Sequence, residues 1–100
     1  PPVSVYFNVS SATLTRDAKK TLTEALAGVT PSALTITAYA DNTGKESFNQ
    51  RLKEKRAEAV KRFLTETLGY EGEITIRIEE TQEVTRDNFL SRKAVVSFQG

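Results

Sequence analysis

The chain contains no cysteine, histidine, methionine or tryptophan. These absences exclude disulfides, thiol catalysis, zinc sites built on Cys or His, and the usual Ser–His–Asp arrangement. No apolar run approaches the roughly 18 residues that a membrane span needs. Lys and Arg (14) nearly balance Asp and Glu (13), so no strong field attracts nucleic acid. We therefore expect no enzyme, no cofactor, no metal site, no nucleic-acid partner and no membrane span in this segment.

What remains is an ordinary globular composition, with 38% hydrophobic and 27% charged residues in a chain of 100. That length makes one domain, which we place over residues 1–100. The chain begins with Pro1-Pro2 and has no initiating Met. We expect it to be a domain excised from a longer exported protein.

Four segments alternate between apolar and polar residues, which is typical of strands with one buried face. The last two are separated by a polar stretch at residues 79–91. The apolar positions are Val3, Val5, Phe7 and Val9; Leu34, Ile36, Ala38 and Ala40; Ile74, Ile76 and Ile78; and Ala94, Val96 and Phe98.

Two amphipathic helices lie between the first three strands. The first is marked by an N-cap hydroxyl at Thr13 or Thr15 and ends near Gly28. The second begins with a capping-box pattern at Ser47 and runs to about Leu68. The apolar stripe of the first helix consists of Leu14, Ala18, Leu22 and Leu26.

The element order is therefore β-α-β-α-β-β, an α+β protein. Since every strand alternates, the sheet has one open face, and we predict a two-layer sandwich with two helices on one face of a four-stranded mixed sheet. The residues predicted to share the open face are Ser4, Tyr6, Thr35, Thr37, Tyr39, Arg77 and Val95.

The second helix carries an anomaly. With Phe48 at 0° and about 100° per residue, its apolar arc spans about 160°, and Arg56 and Asn49 fall inside it at about 80° and 100°. Lys53, at about 140°, falls near its edge. A buried guanidinium needs a partner, and Asp41, at the end of the second strand, is the nearest candidate. Two interpretations stay open here: a structural ion pair, or a small polar pocket for a zwitterionic ligand.

The motifs around this helix resemble those of a known family. Residues 38–44 (AYADNTG), 48–52 (FNQRL) and 55–60 (KRAEAV) are similar to the signature of OmpA-like peptidoglycan-binding domains, including the fifteen-residue step from Asp to Arg. Residues 5–14 resemble the family's first strand and helix start, and residues 91–98 resemble its last strand. The likeness spans nearly the whole chain, as a shortened and divergent member.

The resemblance implies a site for the diaminopimelate of the peptidoglycan stem peptide. Asp41 would meet the side-chain ammonium and Arg56 the carboxylate on the same end. The other residues that the resemblance places at this site are Asn8, Ser10, Asn49 and Leu52; for Leu52, an ordinary core position is the alternative.

The resemblance implies a non-catalytic module that anchors an envelope protein to the cell wall. We expect it in the periplasm of a Gram-negative bacterium, where the protein would be tethered to the outer membrane as a lipoprotein or held in an envelope complex.

Three departures from the family pattern favour an alternative: Ala40 replaces a Thr, Lys53 replaces a Ser, and the loop before the last strand is short. Under that alternative, the domain has lost peptidoglycan binding and serves as a structural or assembly domain of secretion or conjugation machinery. It would then contact protein partners through its open sheet face.

Overall fold

The computed structural model describes residues 2–40, 45–79 and 91–98. The elements along the chain are β1 (Val3–Tyr6), α1 (Arg16–Ala25), β2 (Ala33–Ala38), α2 (Glu46–Arg62), a π-helical segment (Phe63–Thr67), β3 (Glu73–Ile78) and β4 (Lys93–Ser97). The predicted order of strands and helices is confirmed. Most of the polar stretch predicted before the last strand, residues 80–90, lies outside the described residues.

The sheet is mixed, with strand order β1-β4-β2-β3. The last strand, β4, lies between β1 and β2 and is antiparallel to both, while β3 is parallel to β2. It follows that β1, β2 and β3 run in the same direction. Their carboxyl ends meet at one edge of the sheet, which we call the carboxyl edge.

One face of the sheet carries the core, as the alternation predicted. Val5 pairs with Ala94, Ala94 with Ala38, and Ala38 with Ile78, so one row of inward positions crosses all four strands. Both helices pack on this face. The helical residues in the buried core are Ala18 and Leu22 of α1, Ala57 and Val60 of α2, and Leu64 of the π-helical segment.

The opposite face carries the residues predicted for it. Ser4 pairs with Val95, Val95 with Thr37, and Thr37 with Arg77, which gives a parallel row of outward positions. Arg77 is exposed on the edge strand β3, and the other three are half-buried. The two-layer arrangement is therefore confirmed.

The first helix begins and ends as predicted. Thr15 is its N-cap, and the Thr15 Oγ1 accepts from the Ala18 N–H at 3.0 Å. Gly28 follows the helix with φ of 75°, a conformation that glycine adopts without strain.

The ends of the second helix differ from the prediction. The capping box at Ser47 is wrong, because α2 starts at Glu46, with Lys45 at the N-cap and no side-chain cap bond. The Lys45 carbonyl already accepts from the Asn49 N–H at 3.0 Å, so Ser47 lies within the first turn. The last turn before Gly69 is π-helical and not α-helical.

Val9 was predicted on the buried face of the first strand, and that prediction is wrong. Its side chain is 61% exposed, because β1 ends at Tyr6 and the chain then turns. Within the described residues, no helix combines the length and hydropathy needed to cross a membrane.

The loops before β2 and β3 are joined by Tyr70. Its hydroxyl donates to the Pro31 carbonyl at 2.9 Å, and its ring belongs to the core. Gly72 provides the space for this contact. A Cβ atom at Gly72 would overlap the Tyr70 hydroxyl and ring and would lie 2.8 Å from the Ser32 carbonyl oxygen.

We expect Gly72→Ala to destabilise the fold by about 1–3 kcal/mol, because the ring or the backbone must shift to admit the methyl group. Urea unfolding at neutral pH measures this. Glu71→Ala, at an exposed neighbouring position, is the control and should change the unfolding midpoint little. Equal midpoints for the two variants would contradict the steric argument.

Tyr70 should also make the stability of the fold depend on pH under alkaline conditions. Burial, and secondarily the negative charge of Glu73, raise the pKa of the Tyr70 phenol above its ordinary 10.0. The unfolded chain then loses this proton at a lower pH than the folded chain. The Tyr70 contribution to stability is therefore constant below about pH 10 and declines as the pH rises through the raised pKa.

Tyr70→Phe should flatten that decline while costing about 1 kcal/mol at pH 8, where the hydrogen bond to Pro31 is lost. Urea unfolding between pH 8 and pH 11 gives both values. Tyr39→Phe, on the open face, is the matched control. A decline as steep in Tyr70→Phe as in Tyr39→Phe would assign the effect to other groups.

Candidate functional site

The buried face of α2 is unusually polar. Arg56 and Asn49 are 1% and 4% exposed, so both lie inside the helix–sheet interface, as the helical positions predicted. Two positions differ: Phe48, expected in the apolar arc, is 50% exposed, and Lys53, expected at its edge, is only 2% exposed. The buried arc is thus centred near Asn49 and Arg56, further round the helix than the apolar residues alone indicated. Its members are Asn49, Leu52, Lys53, Arg56, Ala57 and Val60.

The Arg56 guanidinium donates to three backbone carbonyls. Its Nε donates to the Ser11 oxygen at 2.9 Å, its Nη1 to the Tyr39 oxygen at 3.0 Å, and its Nη2 to the Asn8 oxygen at 3.2 Å. Its carbon Cζ also lies 5.1 Å from the centroid of the Phe7 ring, within cation–π range. One side chain therefore ties α2 to the chain leaving β1 and to the chain leaving β2. We call this arrangement the Arg56 corner.

The segment after β1 is a tight turn that Arg56 holds from both ends. The Ser11 N–H donates to the Asn8 carbonyl at 3.1 Å, and Ser10 has φ of 53°. A serine rarely adopts this left-handed conformation. Because the guanidinium binds the carbonyls of both Asn8 and Ser11, it stabilises the turn and offsets that strain.

Lys53 likewise ties α2 to the chain leaving β3. Its Nζ donates to the Glu79 carbonyl at 2.7 Å, and the Glu79 N–H donates to the Ala38 carbonyl at 3.0 Å. Two buried cations, three residues apart on α2, thus bind carbonyls at the carboxyl edge, where β1, β2 and β3 end. The helical position of Lys53 was a signal for its burial; its acceptor is a backbone atom that the residue pattern does not mark.

The structure places the site residues implied by the resemblance as follows. Arg56 and Asn49 are buried in the interface, and Leu52 is 8% exposed beside them. Asn8 and Ser10 are exposed on the turn, and the Asn8 backbone contacts Arg56. Asp41 lies outside the described residues, so its pairing with Arg56 stays a prediction.

The arrangement concentrates positive charge at one corner of the molecule. Three of the guanidinium N–H groups donate to carbonyls of described residues, and these contacts orient the guanidinium. Burial strengthens the attraction between a guanidinium and a nearby anion. The corner can therefore attract a carboxylate, and its backbone is fixed well enough to shape a small polar site.

Comparison with known proteins finds a family match over nearly the whole chain. The model of the OmpA family matches residues 6–95, which contain every residue of the Arg56 corner. No curated protein sequence matches the chain significantly.

Solved structures with the same fold include three bacterial proteins. The peptidoglycan-associated lipoprotein from Burkholderia pseudomallei is 23% identical with a TM-score of 0.77, over 97% of this chain and 90% of that chain. The cell wall anchor of the T6SS from Pseudomonas aeruginosa is 20% identical with a TM-score of 0.72, over 99% and 81%. The OmpA-like domain of FopA1 from Francisella tularensis is 21% identical with a TM-score of 0.72, over 95% and 69%. At these identities the likeness shows the fold.

We expect Arg56→Lys to destabilise the protein by about 2–4 kcal/mol, because an ammonium cannot reach three carbonyls in the plane of a guanidinium fork. Thermal or urea unfolding measures the loss. Arg51→Lys, the same exchange at an exposed position of α2, is the control and should be nearly neutral. If both variants unfold at the same midpoint, the three hydrogen bonds contribute little.

Proposed function

The chain belongs to the OmpA family, whose members are peptidoglycan-binding anchors, and on that premise we propose a specific function. The domain is a non-catalytic module that binds the diaminopimelate of the peptidoglycan stem peptide. Through this contact it anchors an envelope protein to the cell wall in the periplasm, tethered to the outer membrane or to an envelope complex.

The observation that carries the proposal is the buried Arg56 guanidinium at the carboxyl edge. It lies against the Tyr39 carbonyl, two residues before Asp41 in the sequence. A cation bound to this carbonyl and an anion two residues further along the chain would match the free end of diaminopimelate, which carries an ammonium and a carboxylate. Asp41 would take the ammonium. Arg56 would attract the carboxylate and hold the turn at residues 8–11, whose backbone lines the site.

The position of Lys53 bears on the alternative of an assembly domain that no longer binds. Replacement of the family Ser by a Lys near the site favoured that alternative. In the structure the ammonium donates inward to the Glu79 carbonyl, and the side chain is 2% exposed. The ammonium is thus turned into the fold and does not project into the solvent beside the Arg56 corner, which supports retained binding.

The names of two of the similar solved structures agree with a role at the cell wall. One is a peptidoglycan-associated lipoprotein and another is a cell wall anchor. A role as a wall anchor for a larger envelope protein suits a domain without histidine or cysteine.

Isothermal titration with two soluble muropeptides tests the proposal. One carries diaminopimelate at the third position of the stem, and the other carries lysine, which keeps the ammonium but lacks the distal carboxylate. We expect wild-type protein to bind the first at least about tenfold more tightly, because the lysine peptide forgoes a charge-assisted contact. Equal affinities, or no heat with either peptide, would reject diaminopimelate recognition.

Asp41→Asn should abolish binding of the diaminopimelate peptide, because the amide keeps the shape of the side chain and removes its charge. Asp17→Asn, at an exposed position in the first turn of α1, is the matched control and should bind like wild type. Thermal unfolding of both variants separates lost binding from lost folding. Unchanged affinity in Asp41→Asn would remove Asp41 from the site.

A further inference from the structure

A groove of about 460 Å³ runs along α2 beside the Arg56 corner. One wall of the groove is the segment after β1. The other wall is formed by α2 side chains three or four residues apart, which lie on one face of the helix. The lining residues on the β1 side are Ser10, Ala12 and Thr13, and those on α2 are Phe48, Arg51, Leu52, Lys55, Glu58, Ala59 and Arg62.

The groove is cationic. Arg51, Lys55 and Arg62 line it, against the single carboxylate of Glu58. Arg62 already pairs with Glu66, at 3.3 Å between two side chains that are about two-thirds exposed. In the part of the chain that the structure describes, neither Arg51 nor Lys55 lies within salt-bridge distance of a carboxylate. Two positive charges therefore face the groove without an ion pair from the described residues.

The floor of the groove is apolar. Phe48 is one of the few large hydrophobic side chains exposed by half, and Leu52 and Ala59 lie beside it along the helix. An apolar floor below a cationic rim suits a short peptide with carboxylates, which places its backbone and methyl groups on the floor and its charges at the rim.

The groove is also continuous with the proposed site. Ser10 and Leu52, which the family resemblance places at the diaminopimelate pocket, line it at that end. From Leu52 to Arg62 the helix rises about 15 Å. Two extended residues span about 7 Å, so the part of the stem on one side of diaminopimelate reaches along the first half of the groove, past Arg51 and Lys55.

From these observations we propose that the groove along α2 binds the rest of the same stem peptide, and that Arg51 and Lys55 bind its remaining carboxylates. This inference rests on the proposed function: the Arg56 corner holds diaminopimelate, and the groove extends the contact along the peptide. Continuity with the corner favours this ligand over an acidic segment of a partner protein.

The test compares Arg51→Gln/Lys55→Gln with Lys19→Gln/Lys20→Gln, which removes two exposed positive charges from α1. Two probes are titrated: the diaminopimelate-containing muropeptide and free diaminopimelate. We expect the groove variant to bind the muropeptide about three- to tenfold more weakly, with a smaller loss between 50 and 300 mM salt. Its affinity for free diaminopimelate should equal that of wild type, and the control variant should match wild type for both probes.

The possible results distinguish failure of this inference from failure of the proposed function. If wild type binds the muropeptide and the groove variant binds it equally well, the inference is overturned and the proposed function stands. If wild type binds neither probe, the proposed function fails and the inference fails with it. If a short glutamate-rich peptide of ordinary L-residues binds the groove as tightly as the muropeptide, the rim serves an acidic protein segment, and the inference is again overturned.

Discussion

The buried cations of α2 hold the helix against the end of the sheet where three strands finish together. Just beyond the ends of β1, β2 and β3, the carbonyls of Asn8, Ser11, Tyr39 and Glu79 lie outside the sheet ladder and need donors. Arg56 and Lys53 supply them from the helix above. A shift of α2 by one residue would leave buried charges and buried carbonyls unpaired at once, and each unpaired group costs several kcal/mol. This coupling fixes the register of the helix on the sheet.

The same contacts that stabilise the fold create the candidate site. The turn at residues 8–11 holds a serine in the left-handed region, and it lies against a guanidinium that binds both its ends. Any change at Arg56 would consequently alter the stability of the turn together with the proposed binding. At Arg51 and Lys55, whose side chains are exposed, the two effects can be measured separately.

One helix therefore has three faces with three uses. Ala57 and Val60 pack in the core, Lys53 and Arg56 bind the carboxyl edge, and the stripe from Phe48 to Arg62 lines the groove. The low amphipathicity of α2 follows directly, since two of its buried positions are cations and one of its exposed positions is a phenylalanine.

Local chemistry determined much of this protein from the sequence. Alternation placed the four strands and both faces of the sheet, the Thr15 hydroxyl marked the start of α1, and helical spacing placed Asn49 and Arg56 in the interface. These features depend on neighbours within about one helical turn or two strand positions, which the sequence displays.

Tertiary structure decided the rest. The three carbonyls that bind Arg56 belong to residues 17, 45 and 48 positions away, and a backbone carbonyl is the same at every residue, so the sequence carries no mark of it. The exposure of Phe48 and the burial of Lys53 depend on how α2 rotates against the sheet. That rotation is set by the carbonyls at the carboxyl edge, which exist as a group only once β4 has inserted between β1 and β2 and aligned the three strand ends.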